Sequence, residues 1–136
     1  MPERARFAGS PTMSPTEAYY AVLLHELTHW SGADSRLKRL MPSRFGQHAY
    51  AMEELVAELG ASYLCADLGV TTTLRHDHAA YIQGWLSVMR ADKRAIFLAA
   101  ARAQEAATYL LQYAPGPLRP EPAGPASHGT DSTLSL

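Results

Sequence analysis

His25-Glu26-Leu27-Thr28-His29 sets two histidines four residues apart with a glutamate beside the first. On an α-helix, residues four apart lie one above the other on one face, so both imidazoles can converge on a single cation. The chemistry this allows is hydrolysis of a peptide bond. Glu26 would sit beside the metal, hold the water that the cation acidifies from a pKa of 15.7 to roughly 7, and take its proton. Zn2+ is the expected cation, because three protein ligands leave its fourth position open to water. A helix with two surface histidines is the plainer reading, but three fixed positions in scarce residue types rarely coincide by chance.

The pentapeptide supplies only two of the three ligands, so a partner must come from elsewhere. His29-Trp30-Ser31-Gly32-Ala33-Asp34-Ser35 keeps the glycine of the extended HxxGxxH pattern but has Ser35 where a third histidine would stand, and a neutral serine is a poor zinc ligand. Asp34 is one residue out of register, and His48 is a further, equally weak option. Stronger is Glu53-Glu54-Leu55-Val56-Ala57-Glu58, which puts carboxylates in an otherwise apolar helix. Glu54 and Glu58 share a face with Ala51 and Ala61, small residues that leave room for the first helix to pack alongside. Glu54 would then ligate the metal. Glu58, one turn on, would accept a hydrogen bond from the far ring nitrogen of a ligand histidine and fix its tautomer. Glu53, about 100° away on the wheel, is expected to face solvent. Three glutamates on a solvated face is the competing reading, opposed by the need of carboxylates on a small-residue face for partners.

The elements that must carry these residues read as four helices. Ser14-Pro15-Thr16-Glu17 is a capping box with proline at the first helical position, and the helix it opens should run to about Trp30 and stop at Gly32, with Tyr19, Val22, Leu23, Leu27 and Trp30 as its apolar stripe. Residues 33–46 break the pattern, and Arg36, Lys38, Arg39 and Arg44 read as a solvated connection. A second helix spans about Gln47 to Leu68 and ends at Gly69, with Met52, Leu55, Val56, Leu59 and Tyr63 inward; Ala57, Gly60 and Ala61 permit close approach. A third runs from about Leu74 to Met89, with Ile82, Trp85, Leu86 and Met89 in register. A fourth, capped by Asp92 and rich in alanine, runs to about Tyr113 with Ile96, Phe97, Ala100, Ala107 and Leu111 on one side. Five prolines between 115 and 125 rule out further helix. The expected organisation is an irregular segment at 1–13, one domain at 14–113 and a disordered Pro-rich tail at 114–136. The fold class read from these elements is mainly α, with little or no sheet.

At 136 residues and 47% hydrophobic composition the chain suits one globular domain. A formal charge of −1, from 12 basic and 13 acidic side chains, supplies no overall positive field for nucleic acid. No apolar run is long enough to span a bilayer and no secretory leader is legible, so a cytoplasmic protein is expected. The lone Cys65, inside an apolar helical segment, reads as core.

Several separated blocks in fixed order carry a resemblance to a known family. They are His25-Glu-Leu-Thr-His-Trp-Ser-Gly32, Arg36-Leu37, Phe45-Gly46, Tyr50-Ala51, Glu53-Glu54-Leu-Val-Ala-Glu58, His78-Ala-Ala-Tyr81, Trp85 and Asp92-Lys-Arg94. Together they resemble the C-terminal zincin-like metallopeptidase domain of ArdC-type antirestriction proteins, which occurs also in TraC-like primases and polyvalent phage and plasmid proteins. The resemblance implies a gluzincin-like site with His25 and His29 as ligands, Glu26 as general base and a second-helix glutamate, Glu54, as third ligand. A donor for the developing oxyanion is sought among His78, Tyr50, Tyr81 and His76, with His78 preferred for its place in a family-like block. The implied partner is a peptide or protein substrate, host restriction machinery among the candidates. Proteins of this family usually carry an upstream single-stranded-DNA-binding domain, which this chain, opening at Met1 just before the metallopeptidase region, is expected to lack. The alternatives to a peptidase are a non-enzymatic antirestriction or DNA-associated module with a structural metal, and a truncated fragment.

Overall fold

The computed structural model describes residues 1–39, 46–70 and 79–115, with the side chains of 79–82 excepted. Four helices make up the domain: α1 (Pro15–Ser31), α2 (Gly46–Leu68), α3 (Ala79–Ala91) and α4 (Ala95–Leu111). There is no strand among the described residues beyond one isolated bridge between Ser10 and Met13, so the mainly α expectation holds. The start expected for α3 at Leu74, and the tail from residue 116, lie outside the described residues.

The helix ends follow from local chemistry. The Ser14 hydroxyl accepts from the Glu17 backbone N–H at 3.2 Å, and the Glu17 carboxylate accepts from the Ser14 N–H at 2.8 Å, with Pro15 in the first turn. At the far end of α2, Gly69 takes a left-handed backbone (φ 69°), and the N–H groups of Gly69 and Val70 return to the carbonyls of Ala66 and Cys65. The Asp92 carboxylate accepts the Arg94 N–H at 2.9 Å and so opens the turn that becomes α4. The helix itself begins at Ala95 and ends at Leu111, two residues short of Tyr113.

α2 is the axis of the domain and packs against each of the other three helices. One core cluster joins Leu24 of α1 to Ala61, Leu64 and Cys65 of α2 and Ala107 of α4; a second joins Leu55 and Val56 of α2 to Ala99 and Ala103 of α4. Cys65 is therefore core, and burial pushes its thiol pKa up. The expected α2 face is observed, with Met52, Leu59 and Tyr63 flanking Leu55 and Val56. The faces expected for α1 and α4 are observed in part, with Leu27 of α1 and Ile96, Ala107 and Leu111 of α4 in or against the core clusters, and Trp30 and Phe97 are corrected. On α1 the deepest positions are Leu24, Thr28 and Ser31, while Trp30 is 46% exposed. On α4 they are Ala95, Ala99, Ala103, Ala106 and Ala107, while Phe97 is 75% exposed. Both helices turn their small residues toward α2, because close approach of two backbones excludes bulk from the contact line.

Gly60 shows how close that approach is. A Cβ built there would lie 2.6 Å from Thr28 Cγ2 and 3.0 Å from Thr28 Oγ1, so α1 and α2 meet with nothing between them but Thr28 itself. Thr28 is fully buried, and its hydroxyl donates to the Leu24 carbonyl at 2.8 Å. This contact lies one residue from His29 and sets the spacing of the helices that carry the site.

Candidate metal centre

α1 lays His25 and His29 one above the other, and α2 crosses them with Glu53, Glu54 and Glu58. The ligand-capable atoms of His25, His29 and Glu54 all lie within 4.8 Å of one another. The two Nε2 atoms are 3.1 Å apart. Glu54 stands against both, with one carboxylate oxygen 3.1 Å from His29 Nε2 and the other 3.6 Å from His25 Nε2. Two imidazole nitrogens and a carboxylate converging in this way could hold a divalent cation, the donor set that zinc accepts. At most one hydrogen fits between two nitrogens at that distance.

The outer ring nitrogens are also occupied. His25 Nδ1 lies 3.2 Å from a Glu58 oxygen, and His29 Nδ1 lies 3.2 Å from Glu53 Oε1. Each carboxylate can accept the Nδ1 hydrogen, which leaves the Nε2 lone pair of that ring directed inward. Glu58 stands where the sequence reading put it. Glu53 does not: it is half-buried in the site, not turned to solvent, because it is held from its other side. The Arg39 guanidinium donates to both of its oxygens, at 2.9 Å from Nε and 2.9 Å from Nη2. Arg39 is itself buried, at 7% exposure, which corrects its reading as part of a solvated connection; Arg44, read the same way, lies outside the described residues.

Burial alone would lower the pKa of both imidazoles, but the carboxylates outweigh it: Glu54 and Glu58 push His25 up to about 9, and Glu53 and Glu54 push His29 up to about 9. Against its own burial, Glu54 is drawn down to about 2 by the two histidines, and Glu53 is lowered by His29 and Arg39. With neutral imidazoles, three carboxylates facing one guanidinium leave two negative charges among the described residues. A bound dication would balance that charge.

Glu26 is exposed on α1, one position from His25. Asp34 and His48, the other ligand candidates, are exposed and outside the convergent group. Tyr50 is exposed at 58%. His76 and His78 lie outside the described residues, and of Tyr81 only the backbone is described. The sequence reading missed Arg39 and the inward turn of Glu53. A signal for the second was available: two ligand imidazoles need two outer acceptors, and once Glu54 and Glu58 are assigned, Glu53 is the glutamate left on the same helix.

This combination of fold and site defines a class. The chain belongs to the zincin-like metallopeptidase family MPTase-PolyVal, whose model matches residues 1–102. Within it, the domain is of the ArdC type. It superposes on the crystal structure of the antirestriction protein ArdC from the R388 plasmid in its Mn(II)-bound form with a TM-score of 0.64 at 48% identity, covering 71% of this chain and 36% of that one. The metal-free form gives a TM-score of 0.62 at 49% identity, covering 71% of this chain and 34% of that one. The uncharacterized protein y4eC of Sinorhizobium fredii (strain NBRC 101917 / NGR234) is 54% identical over 93 residues, 68% of this chain and 30% of that protein. A DNA primase TraC of Escherichia coli is 38% identical over 116 residues, 83% of this chain and 7% of the primase. The chain thus spans about a third or less of the length of each relative. No helix among the described residues is long and apolar enough to cross a membrane.

Proposed function

We propose that this chain is the catalytic metallopeptidase domain of an antirestriction-type protein, with His25, His29 and Glu54 as metal ligands and Glu26 as general base. The observation that carries the reading is the convergence of those three ligands within 4.8 Å, with the outer nitrogen of each imidazole held by its own carboxylate. When bound, a divalent cation there would acidify a water and polarise a scissile carbonyl. The residues of the chain do the rest. His25 and His29 are oriented by Glu58 and Glu53. Glu26, exposed beside His25 and open to a bound peptide, takes the proton of the attacking water and delivers it to the leaving amine. His78 is the proposed donor to the developing oxyanion. Zn2+ is the proposed cation on donor chemistry; two imidazoles and a carboxylate also suit manganese, the ion in the ArdC crystal structure. The proposed substrate is a peptide or protein, host restriction machinery included.

The test is metal content by elemental analysis together with hydrolysis of a mixed peptide library read by mass spectrometry. Wild type should hold about one metal per chain and release new termini. Glu54→Ala, at matched folding, should lose the metal, and Glu26→Gln should keep it and lose cleavage. A wild type that is fully loaded and cleaves nothing would overturn the peptidase assignment, and one that loads no metal would overturn the site.

A further inference from the structure

The geometry points to Arg39 as the positioning residue of the centre: through Glu53 it fixes the ring of His29, and it thereby sets the affinity of the site for its cation. The inference rests on the metal-site reading above and deepens it. Arg39 lies on no helix, and its guanidinium reaches four acceptors on two helices. Two are the carboxylate oxygens of Glu53 on α2, each at 2.9 Å. The others are on the last turn of α1, where Nη1 donates to Ser31 Oγ at 3.2 Å and Nη2 donates to the Thr28 carbonyl at 2.6 Å. A guanidinium suits this place because its planar fork matches a carboxylate on one edge while its remaining N–H groups serve other acceptors.

The chain after α1 is shaped to deliver that side chain. Leu37, Lys38 and Arg39 donate their backbone N–H groups to the carbonyls of Ser31, Ala33 and Gly32, wrapping the segment onto the end of the helix. Lys38 adopts a left-handed backbone (φ 48°), a conformation that residues other than glycine, asparagine and aspartate seldom take. The result is a continuous line of contacts from Arg39 to Glu53 Oε1 and on to His29 Nδ1. His25 has a different support: its Nδ1 meets Glu58, whose side chain is more exposed than that of Glu53. The two histidines of one motif are thus held differently, and His29 is the one tied to the buried arginine.

A residue that only stapled α1 to α2 would affect stability but not the ring it does not touch. The test therefore measures zinc affinity by chelator competition in the full chain, with melting curves as controls, for Arg39→Met, Arg39→Lys, Glu53→Gln and the double variant Arg39→Met/Glu53→Gln. Loss of such outer-shell support weakens metal binding by about 10–100-fold, and that loss is expected in Arg39→Met and Glu53→Gln. The double variant should bind no more weakly than either single one. Arg39→Lys should recover part of the loss, as an ammonium cannot take the fork. Long-range 1H–15N spectra of the zinc-loaded protein should show His29 protonated at Nδ1 in wild type and no longer fixed there in Glu53→Gln. Folded variants with wild-type zinc affinity and an unchanged His29 tautomer would overturn the role of Arg39 and leave the metal site standing. A folded wild type that takes up no zinc would overturn both.

Discussion

Gly60→Ala is the sharpest probe of how the site is spaced. The added methyl would lie 2.6 Å from Thr28 Cγ2, about 1 Å inside an ordinary carbon–carbon contact. Thr28 cannot yield easily, being fully buried, branched at Cβ and bonded to the Leu24 carbonyl. The helices must therefore part. Overpacking of this kind costs typically about 1–3 kcal/mol, while replacing a mid-helix glycine by alanine returns about 1 kcal/mol. The net expectation is a loss of up to about 2 kcal/mol, which for a domain this size lowers the melting temperature by as much as roughly 10 °C. The larger effect should fall on metal binding, because parting α1 from α2 moves His25 and His29 away from Glu54. Thr28→Ala, which deletes both obstructing atoms, should rescue Gly60→Ala in both respects, giving a coupling on the order of 1 kcal/mol or more in a double-mutant cycle. Thermal melts of the metal-free protein and chelator competition give the two readouts. A Gly60→Ala protein that is more stable than wild type and binds metal equally well would refute the close-contact argument.

Two further outcomes follow from the same geometry. In the metal-free protein the carboxylates around His25 and His29 push their pKa from the ordinary 6.5 up to about 9, so their stabilising contribution is complete below about 6.5 and is lost as pH rises through 9. Glu54, drawn down to about 2, contributes above about 4.5 and loses its contribution as pH falls through 2. Melts across pH 5–10 should show the metal-free protein weakening on the alkaline side, while the extra stability conferred by added zinc grows over that range as protons cease to compete; a flat metal-free profile would contradict this. Ser14→Ala removes the hydroxyl that caps α1 and should cost about 1 kcal/mol by urea titration, without altering zinc affinity per folded molecule.

What the sequence made legible was whatever local chemistry decides. The capping box at Ser14, the glycine after α2, the register of the two histidines and the small-residue face carrying Glu54 and Glu58 depend on spacing alone, and all are found. Burial of charge was not legible from spacing. Arg39 sits among several basic residues that read alike, and it is inside only because the turn through Lys38 folds it back onto α1. Glu53 lies off the Glu54 face on a helical wheel, yet a partner beyond α2 turns it inward. On α1 and α4 the expected stripes misplaced Trp30 and Phe97 for another reason. Apolar and small residues surround both helices, so no single stripe stands out, and the choice was made by which side could approach α2 most closely. Phe97 has the bulk expected of a core residue and is outside for that reason.

The alanine face of α4 has a bearing on how this domain can vary. Five alanines, at 95, 99, 103, 106 and 107, are at most 5% exposed, and a larger side chain at any of them would have to find space inside a packed interior. In a library that randomises these positions, survivors should be confined to alanine, glycine and serine, while the exposed positions of the same helix accept almost anything. The histidine motif would look like the invariant part of such a library, but an equally strict constraint would run along a helix that supplies none of the proposed ligands.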